Sequence, residues 1–264
     1  MSLAAFQRAL CDLIASPSLC LALRADAETT LAAYELSPRE RDRLTTVVRQ
    51  RGMSTNCTLY RSNRITPIYT LLPFTCRSLG DQFGALINQY WAQEIYKDGQ
   101  YKSEIERFGT FLRQRMAADA VISPFARELL AFELARNALE FGPRRDVLRQ
   151  LADLPALDSD KPCRLHPLAR LVRFQHDPAV VLAAFARGGV PPADLPAAEA
   201  FVVLSVADGD LKVLQLDDGT VAECDETSSA PVTWPQARLA RELADAGLLL
   251  SWQTADKTKA SAGV

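Results

Sequence analysis

Histidine is nearly absent: the 264-residue chain holds two, His166 and His176. Catalytic metal centres commonly draw on two or three imidazoles with carboxylates, so a centre built here would have to use both. No C-x-x-C or C-x-x-H pair groups the cysteines at 11, 20, 57, 76, 163 and 224 into a zinc or redox motif. Also missing are G-x-G-x-x-G, the P-loop, H-E-x-x-H and G-x-S-x-G, and with them the chemistries that need those backbones and side chains. No catalytic residue, no metal ligand and no cofactor is therefore assigned to this chain. Charge excess is missing too. Lys+Arg 30 against Asp+Glu 32 leaves a formal net charge of -2, whereas dedicated nucleic-acid binders show a basic excess. No apolar run reaches the roughly 20 residues of a bilayer span. Arg8 and Asp12 interrupt the first apolar stretch, which reads as an amphipathic helix rather than an export signal. A cytoplasmic protein with reduced, buried cysteines is expected.

What is present is ordinary globular material, 48% hydrophobic and 23% charged, long enough for one large domain or two. Residues 3–153 read as helices almost throughout, seven or eight of them. Leu3, Phe6, Leu10, Leu13 and Ile14 form the first apolar stripe at helical spacing. Ser16-Pro17 and Ser37-Pro38 read as an N-cap followed by proline at the first helical position, with Glu40 completing a capping box, and Ser123-Pro124 repeats the device. Gly52 and Gly142 fit helix C-termini, while Pro67 and Pro73 should kink or divide their helices. The inner stripe of 124–141 is Phe125, Leu129, Phe132 and Ala135.

Residues 154–162, rich in Pro, Asp and Ser, read as a linker. Beyond it the pattern changes. An extended segment ends at Phe174, and a short helix at 178–187 stops at Gly188-Gly189. Strands are expected at 200–206, 211–216 and 220–224, turned by Asp208-Gly209 and Asp218-Gly219. A helix at 235–246 and a last strand at 248–252 complete the part, and 253–264 is a loose polar tail. The predicted fold class is α+β: an all-helical domain over 1–153, then a small α+β module over 163–252 with a three- to four-stranded antiparallel sheet.

Charge is divided as sharply as secondary structure. Residues 36–80 hold eight arginines against Glu40 and Asp42, and residues 188–226 hold nine acids against Lys212. Two readings stand, a pair of solvated faces or a pair of binding surfaces with different partners.

One stretch carries a resemblance. Tyr60-Arg61-x-Asn63-Arg64, the pair Leu72-Pro73, Leu79-Gly80-Asp81-x-Phe83 and the later Phe108-x-x-Phe111-Leu112 resemble the partner proteins of multinuclear non-haem iron oxidative enzymes in ribosomal peptide (RiPP) clusters. The likeness spans residues 55–117 and weakens towards 141. In such systems the iron belongs to a separate enzyme. The partner forms a heterodimer with it and brings it a ribosomal precursor peptide whose cysteine is modified. The resemblance thus implies an accessory subunit that is not itself an enzyme. The first fifty residues, around Tyr34-Glu35-Leu36-Ser37-Pro38, look like the small helical subunit of extradiol dioxygenases. Residues 200–250 are similar to the winged-helix peptide-recognition elements of modified-peptide pathways.

Two sets of candidate residues follow. Tyr60, Arg61, Asn63 and Arg64, with His166, are the expected interface to the iron enzyme. On a helix Tyr60, Asn63 and Arg64 share a face and Arg61 turns aside. An internal polar network is the competing reading, with Asn63 fitting it best, and His166 can equally serve as a structural hydrogen-bonding group. For the peptide, strand addition to a sheet edge is expected, with Val203, Leu204, Leu211, Val213, Leu214 and Leu216 on the strands and Leu239 and Leu243 on the packing helix. A fully packed small core with no vacant edge is the alternative. The arginines between 39 and 77 prompt a competing function, a DNA-binding regulator. They scatter over several helices without a helix-turn-helix, so nucleic acid is not the expected partner. No spaced acid–base constellation supports a self-sufficient enzyme.

Overall fold

A serine followed by proline starts two of the helices in the way the sequence indicates. In the computed structural model, which describes residues 3–93, 101–118, 122–143, 145–146, 163–206, 210–216, 243 and 248–251, α1 (Leu3–Ala15) is followed by α2 (Pro17–Ala25), where the Ser16 hydroxyl accepts the Leu19 N–H at 3.3 Å. Asp26 ends α2 and caps α3 (Ala27–Leu31) by accepting the Glu28 and Thr29 N–H groups, both at 3.1 Å. At α4 (Pro38–Arg49) the capping box is complete: Glu40 N–H donates to the Ser37 hydroxyl at 3.3 Å, and Ser37 N–H donates to the Glu40 carboxylate at 2.8 Å. Ser123-Pro124 differs. Those residues form a turn, and the helix begins only at Ala126, with no side-chain cap at Phe125.

Gly52 does not end a helix. It sits in the first turn of α5 (Arg51–Leu71), and the break before it lies at Gln50, whose backbone is extended. Pro67 lies inside α5 and the helix continues through it, because the helix is held by the packing of Met53, Cys57, Arg64, Pro67 and Ile68. Pro73 does divide: Leu72 leaves the helical region and α6 (Pro73–Leu79) starts anew. The helices α7 (Gln82–Gln93), α8 (Tyr101–Ala118) and α9 (Ala126–Glu140) follow, and Gly142 comes directly after the C-cap of α9.

Gly80, at the end of α6, has φ 50° and ψ -131°, a conformation open to glycine alone. A Cβ there would meet no atom within 4 Å, so the cost of a side chain is purely backbone strain. Gly80→Ala is expected to lower the unfolding free energy by about 1–3 kcal/mol in urea denaturation. Gly84→Ala, inside α7 with equal space, should raise it by roughly 0.5–1 kcal/mol. Equal effects of the two would refute the strain at Gly80.

The chain divides into two compact units, Met1–Ile122 and Ser123–Val264. The first is helical among its described residues. Its first core gathers Ala9, Leu13, Cys20, Leu23, Leu31, Leu44, Val48, Met53 and Cys57. A second is aromatic: Phe108 meets Tyr90 edge-on at 5.3 Å and stacks beside Phe111 at 6.2 Å, and Phe83 lies at 6.3 Å. The motif residues Phe83, Phe108, Phe111 and Leu112 are thus core side chains.

In the second unit, α9 is followed by β1 (Cys163–Leu165), β2 (Ala169–Phe174), α10 (Pro178–Ala186), β3 (Ala200–Ser205), β4 (Lys212–Leu216) and β5 (Leu249–Ser251). The main sheet is antiparallel, in the order β2-β3-β4, and β1 pairs antiparallel with β5 separately. The sheet therefore takes its third strand from 169–174, and the last strand joins β1 rather than the main sheet. The expected strand 220–224, both Asp-Gly turns, the linker 154–162, the tail 253–264 and all of helix 235–246 except Leu243 lie outside the described residues. A further difference concerns α9. The sequence division near 160 groups it with the helical domain, but it belongs to the second unit, where Phe132 meets Phe174 of β2 at 6.1 Å. The helix buries a face against the sheet, which periodicity alone cannot specify. The molecule is mostly helical with a small antiparallel sheet.

Candidate functional sites

The first constellation lies on α5, α7 and α8. Arg64 is buried, 3% exposed, and its Nε donates to Glu104 Oε1 at 2.9 Å. Glu104, 1% exposed, also takes Arg107 at 3.3 Å. The Arg64 guanidinium lies over Tyr90 at 5.2 Å, Trp91 at 5.7 Å and Tyr60 at 5.9 Å. Arg61 sits over Trp91 at 4.8 Å and bonds Asn88. Two arginines one turn apart on α5 therefore share one indole on α7. Burial, and then the Glu104 charge, push the Tyr90 hydroxyl up to about 12.

This arrangement corrects two expectations. Arg64 belongs to an internal ion-pair network and cannot be a docking contact. Asn63, the residue best suited to the interior on sequence grounds, is exposed. The helical face that holds Arg64 turns towards Glu104, and Asn63, one residue earlier, is carried outwards. Tyr60 and Arg61 are half-buried. His166, in the second unit, is 8% exposed and accepts the Leu168 N–H on Nδ1 at 3.0 Å. Its backbone N–H donates to Leu248 at 2.8 Å, so it secures the chain between β1 and β2. Glu104, Asn88, Tyr90, Trp91 and Arg107 were not singled out in the sequence. The only signal was the Glu104/Arg107 spacing, which is common on solvated helices.

A cleft of about 420 Å³ opens beside this network, lined by Gln93, Ser103, Glu106, Arg107, Thr110, Phe111 and Gln114. Its walls are amides, hydroxyls and charges of both signs. That mixture specifies no reaction.

The second constellation is the sheet. β3 is buried on both faces. Register places Val203 opposite Leu214 and Leu204 opposite Val213. Val203, Leu216 and Leu243 are core with Leu171, Phe201, Leu248 and Leu249, and Leu204 is 0% exposed. These four are packing residues in this structure and offer nothing to a ligand, a correction to the peptide-binding set. Leu211 is half-buried, and Leu239 lies outside the described residues. Val213 and Leu214 differ from the rest: they are 50% and 38% exposed, on opposite faces of β4. Among the described residues no strand lies beyond β4.

A buried carboxylate missed in the sequence is Glu128 on α9, 3% exposed. It accepts the Gln175 N–H at 2.7 Å and faces His176 Nδ1 at 3.1 Å, while Phe125 packs against the imidazole at 4.9 Å. Burial pushes its carboxyl up, and the Gln175 and His176 contacts oppose this. The pair ties the β2–α10 connection to α9. Among the described cysteines, Cys20 and Cys57 are buried as expected, but Cys11 is exposed. Burial and the neighbouring Cys57 push the Cys20 thiol up to about 11, the opposite of an activated thiolate.

Among the described residues no group of three or more His, Cys, Asp or Glu is placed to hold a metal ion. No single described helix is long and apolar enough to cross a membrane. No protein-family model and no curated protein matches the chain.

Proposed function

We propose that this chain is a non-catalytic subunit that binds a ribosomal precursor peptide through a sheet edge and presents it to a separate iron-dependent oxidative enzyme for cysteine modification. The observation that carries the reading is β4. Its side chains alternate across the sheet, Val213 and Leu214 stay half in solvent, and β3 behind them is fully packed. Among the described residues no strand lies beyond β4; an added strand would gain main-chain hydrogen bonds there, and pockets for alternate side chains would supply selectivity. Covering each exposed apolar side chain contributes roughly 1.5–3 kcal/mol. A sheet of this kind beside a helix is also consistent with a winged-helix-like recognition module. Docking to the enzyme then falls to exposed surface around Asn63 and the half-buried Tyr60 and Arg61, not to Arg64 or His166.

The DNA-binding alternative has less support, because several of the clustered arginines are engaged within the fold. Arg64 holds Glu104, Arg61 covers Trp91, and Arg41 donates to the Leu36 and Tyr34 carbonyls at 3.3 and 3.4 Å.

The test takes the intact chain and fluorescein-labelled synthetic cysteine-containing peptides drawn from any short reading frames found next to its gene, read by anisotropy. Wild-type protein should bind. Val213→Asp with Leu214→Lys should weaken binding at least a hundredfold with an unchanged circular dichroism spectrum. Capture of an iron-dependent oxidative enzyme, should one be encoded next to this chain, on immobilised chain tests the second partner. Neither peptide nor enzyme binding, or peptide binding indifferent to β4, would overturn the reading.

A further inference from the structure

Helix α10 has no polar side chain in its nine residues, Pro178–Ala186. Pro178, Val181 and Phe185 are buried, with the Phe185 ring 6.4 Å from Phe125. The opposite side remains in solvent. Ala179, Val180, Ala183 and Ala186 are exposed, and the apolar surface continues past the helix to Val190. Val180 and Val190 are 40% and 58% exposed. A helix apolar all round is ordinarily covered on all sides, and this one is covered on one.

The ends of the helix indicate what covers it. Asp177 is the N-cap and accepts the Ala179 N–H at 2.8 Å. Arg187 is the C-cap, and its Nε donates to the Ala183 carbonyl at 3.2 Å. One acid and one base thus flank a face with no charge between them. Laid antiparallel on a second copy of itself, about a two-fold axis near Leu182, this face brings Asp177 of each copy against Arg187 of the other. Two opposite-charge contacts form, and the two helix dipoles oppose. A parallel arrangement would place like charges side by side. The face is self-complementary in one orientation only.

We infer that α10 is the two-fold contact through which two copies of this chain pair antiparallel. The contact does not depend on the peptide-binding reading, since β4 takes no part in it. A single helix face lies at the small end of protein interfaces, so the dimer is reversible and concentration-dependent.

Sedimentation velocity over roughly 5–500 µM tests it. Wild-type chain should shift from monomer to dimer across that range, and Ala183→Glu should remain monomeric throughout. Asp177→Lys and Arg187→Glu should each weaken pairing at least tenfold. Their equimolar mixture should recover it: in a mixed dimer one contact is the native Asp177–Arg187 pair and the other joins the introduced lysine to the introduced glutamate. Circular dichroism checks that α10 persists. Should Asp177→Lys lose the cap, Asp177→Asn keeps an acceptor there and should still weaken pairing, by less. A wild-type chain monomeric at the highest concentration, a dimer indifferent to Ala183→Glu, or, with both variants folded, a mixture no stronger than its components would each overturn the inference. A different protein seated on this face would show itself by the first of these outcomes.

Discussion

Replacing Glu104 by alanine lowers the unfolding free energy by about 3–5 kcal/mol, because it leaves the buried Arg64 guanidinium without its carboxylate. Both side chains are almost wholly removed from water, 3% and 2% exposed, so solvent cannot take over the lost contact. Arg107 is 21% exposed and can turn towards water, so the loss falls mainly on Arg64. The double change Arg64→Met with Glu104→Leu should recover most of it, since replacing a buried ion pair by apolar side chains of similar volume is often neutral or stabilising. Urea midpoints at constant slope read both effects. A single-variant loss under about 1 kcal/mol, the size of an exposed pair, would mean that the pair is hydrated. The contrast between single and double variants separates a stabilising contact from an expensive one to break. It also bears on the proposed docking to an iron enzyme: if such capture is found and a change at Arg64 weakens it, the loss should come through the stability of α5, and the double variant should restore capture along with stability.

In the second unit the largest expected loss is at Phe174. The side chain is 0% exposed at the end of β2 and meets Phe132 of α9 edge-on. Phe174→Ala removes a ring from between helix and sheet and should reduce stability by about 3–5 kcal/mol, part lost transfer energy and part cavity. Phe174→Leu, which keeps most of the volume, should lose less than about 1.5 kcal/mol if the site repacks. The readout is thermal or chemical denaturation, and α9 amides should lose hydrogen-exchange protection in parallel. Retained α9 protection in a destabilised Phe174→Ala would show that the helix is held by other contacts. Gln175 and His176, which meet Glu128, immediately follow Phe174, so the same variant should also loosen that pair.

Local chemistry was legible where a residue acts on its own backbone. Ser16, Ser37 and Glu40 cap because a hydroxyl or carboxylate three residues from an N–H reaches it whatever lies elsewhere. Gly188 was equally plain: it takes φ 87°, and the N–H groups of Gly188 and Gly189 close on Phe185 and Ala184 at 3.1 and 3.0 Å, a Schellman stop. The candidate site was harder to read. Arg61 and Arg64 look alike on a sequence, and helical spacing put Asn63 and Arg64 on one face. Which arginine is buried depends on where Glu104 lies, forty residues away. The β strands show the same division. Alternation marked 211–216 as a strand with apolar residues on both faces, but nothing in it distinguished Leu216, which is core, from Leu214, which stays half in solvent. That difference comes from the neighbours: Leu216 pairs with Phe201 and joins Leu243, while Leu214 stands further along an edge with no strand beyond it among the described residues.

By itself, then, the order of residues determined the capped helix starts at Ser16 and Ser37, the breaks at Pro73 and Gly188, the change from helical to alternating pattern after residue 160, and the scarcity of metal-ligating side chains. Each depends on interactions a few residues long. Only the tertiary structure decided that α9 belongs with the sheet, that 169–174 is its third strand, that Arg64 and His166 face inward and that α10 shows an apolar side to water. Those outcomes depend on burial, and burial is a property of which distant surfaces meet.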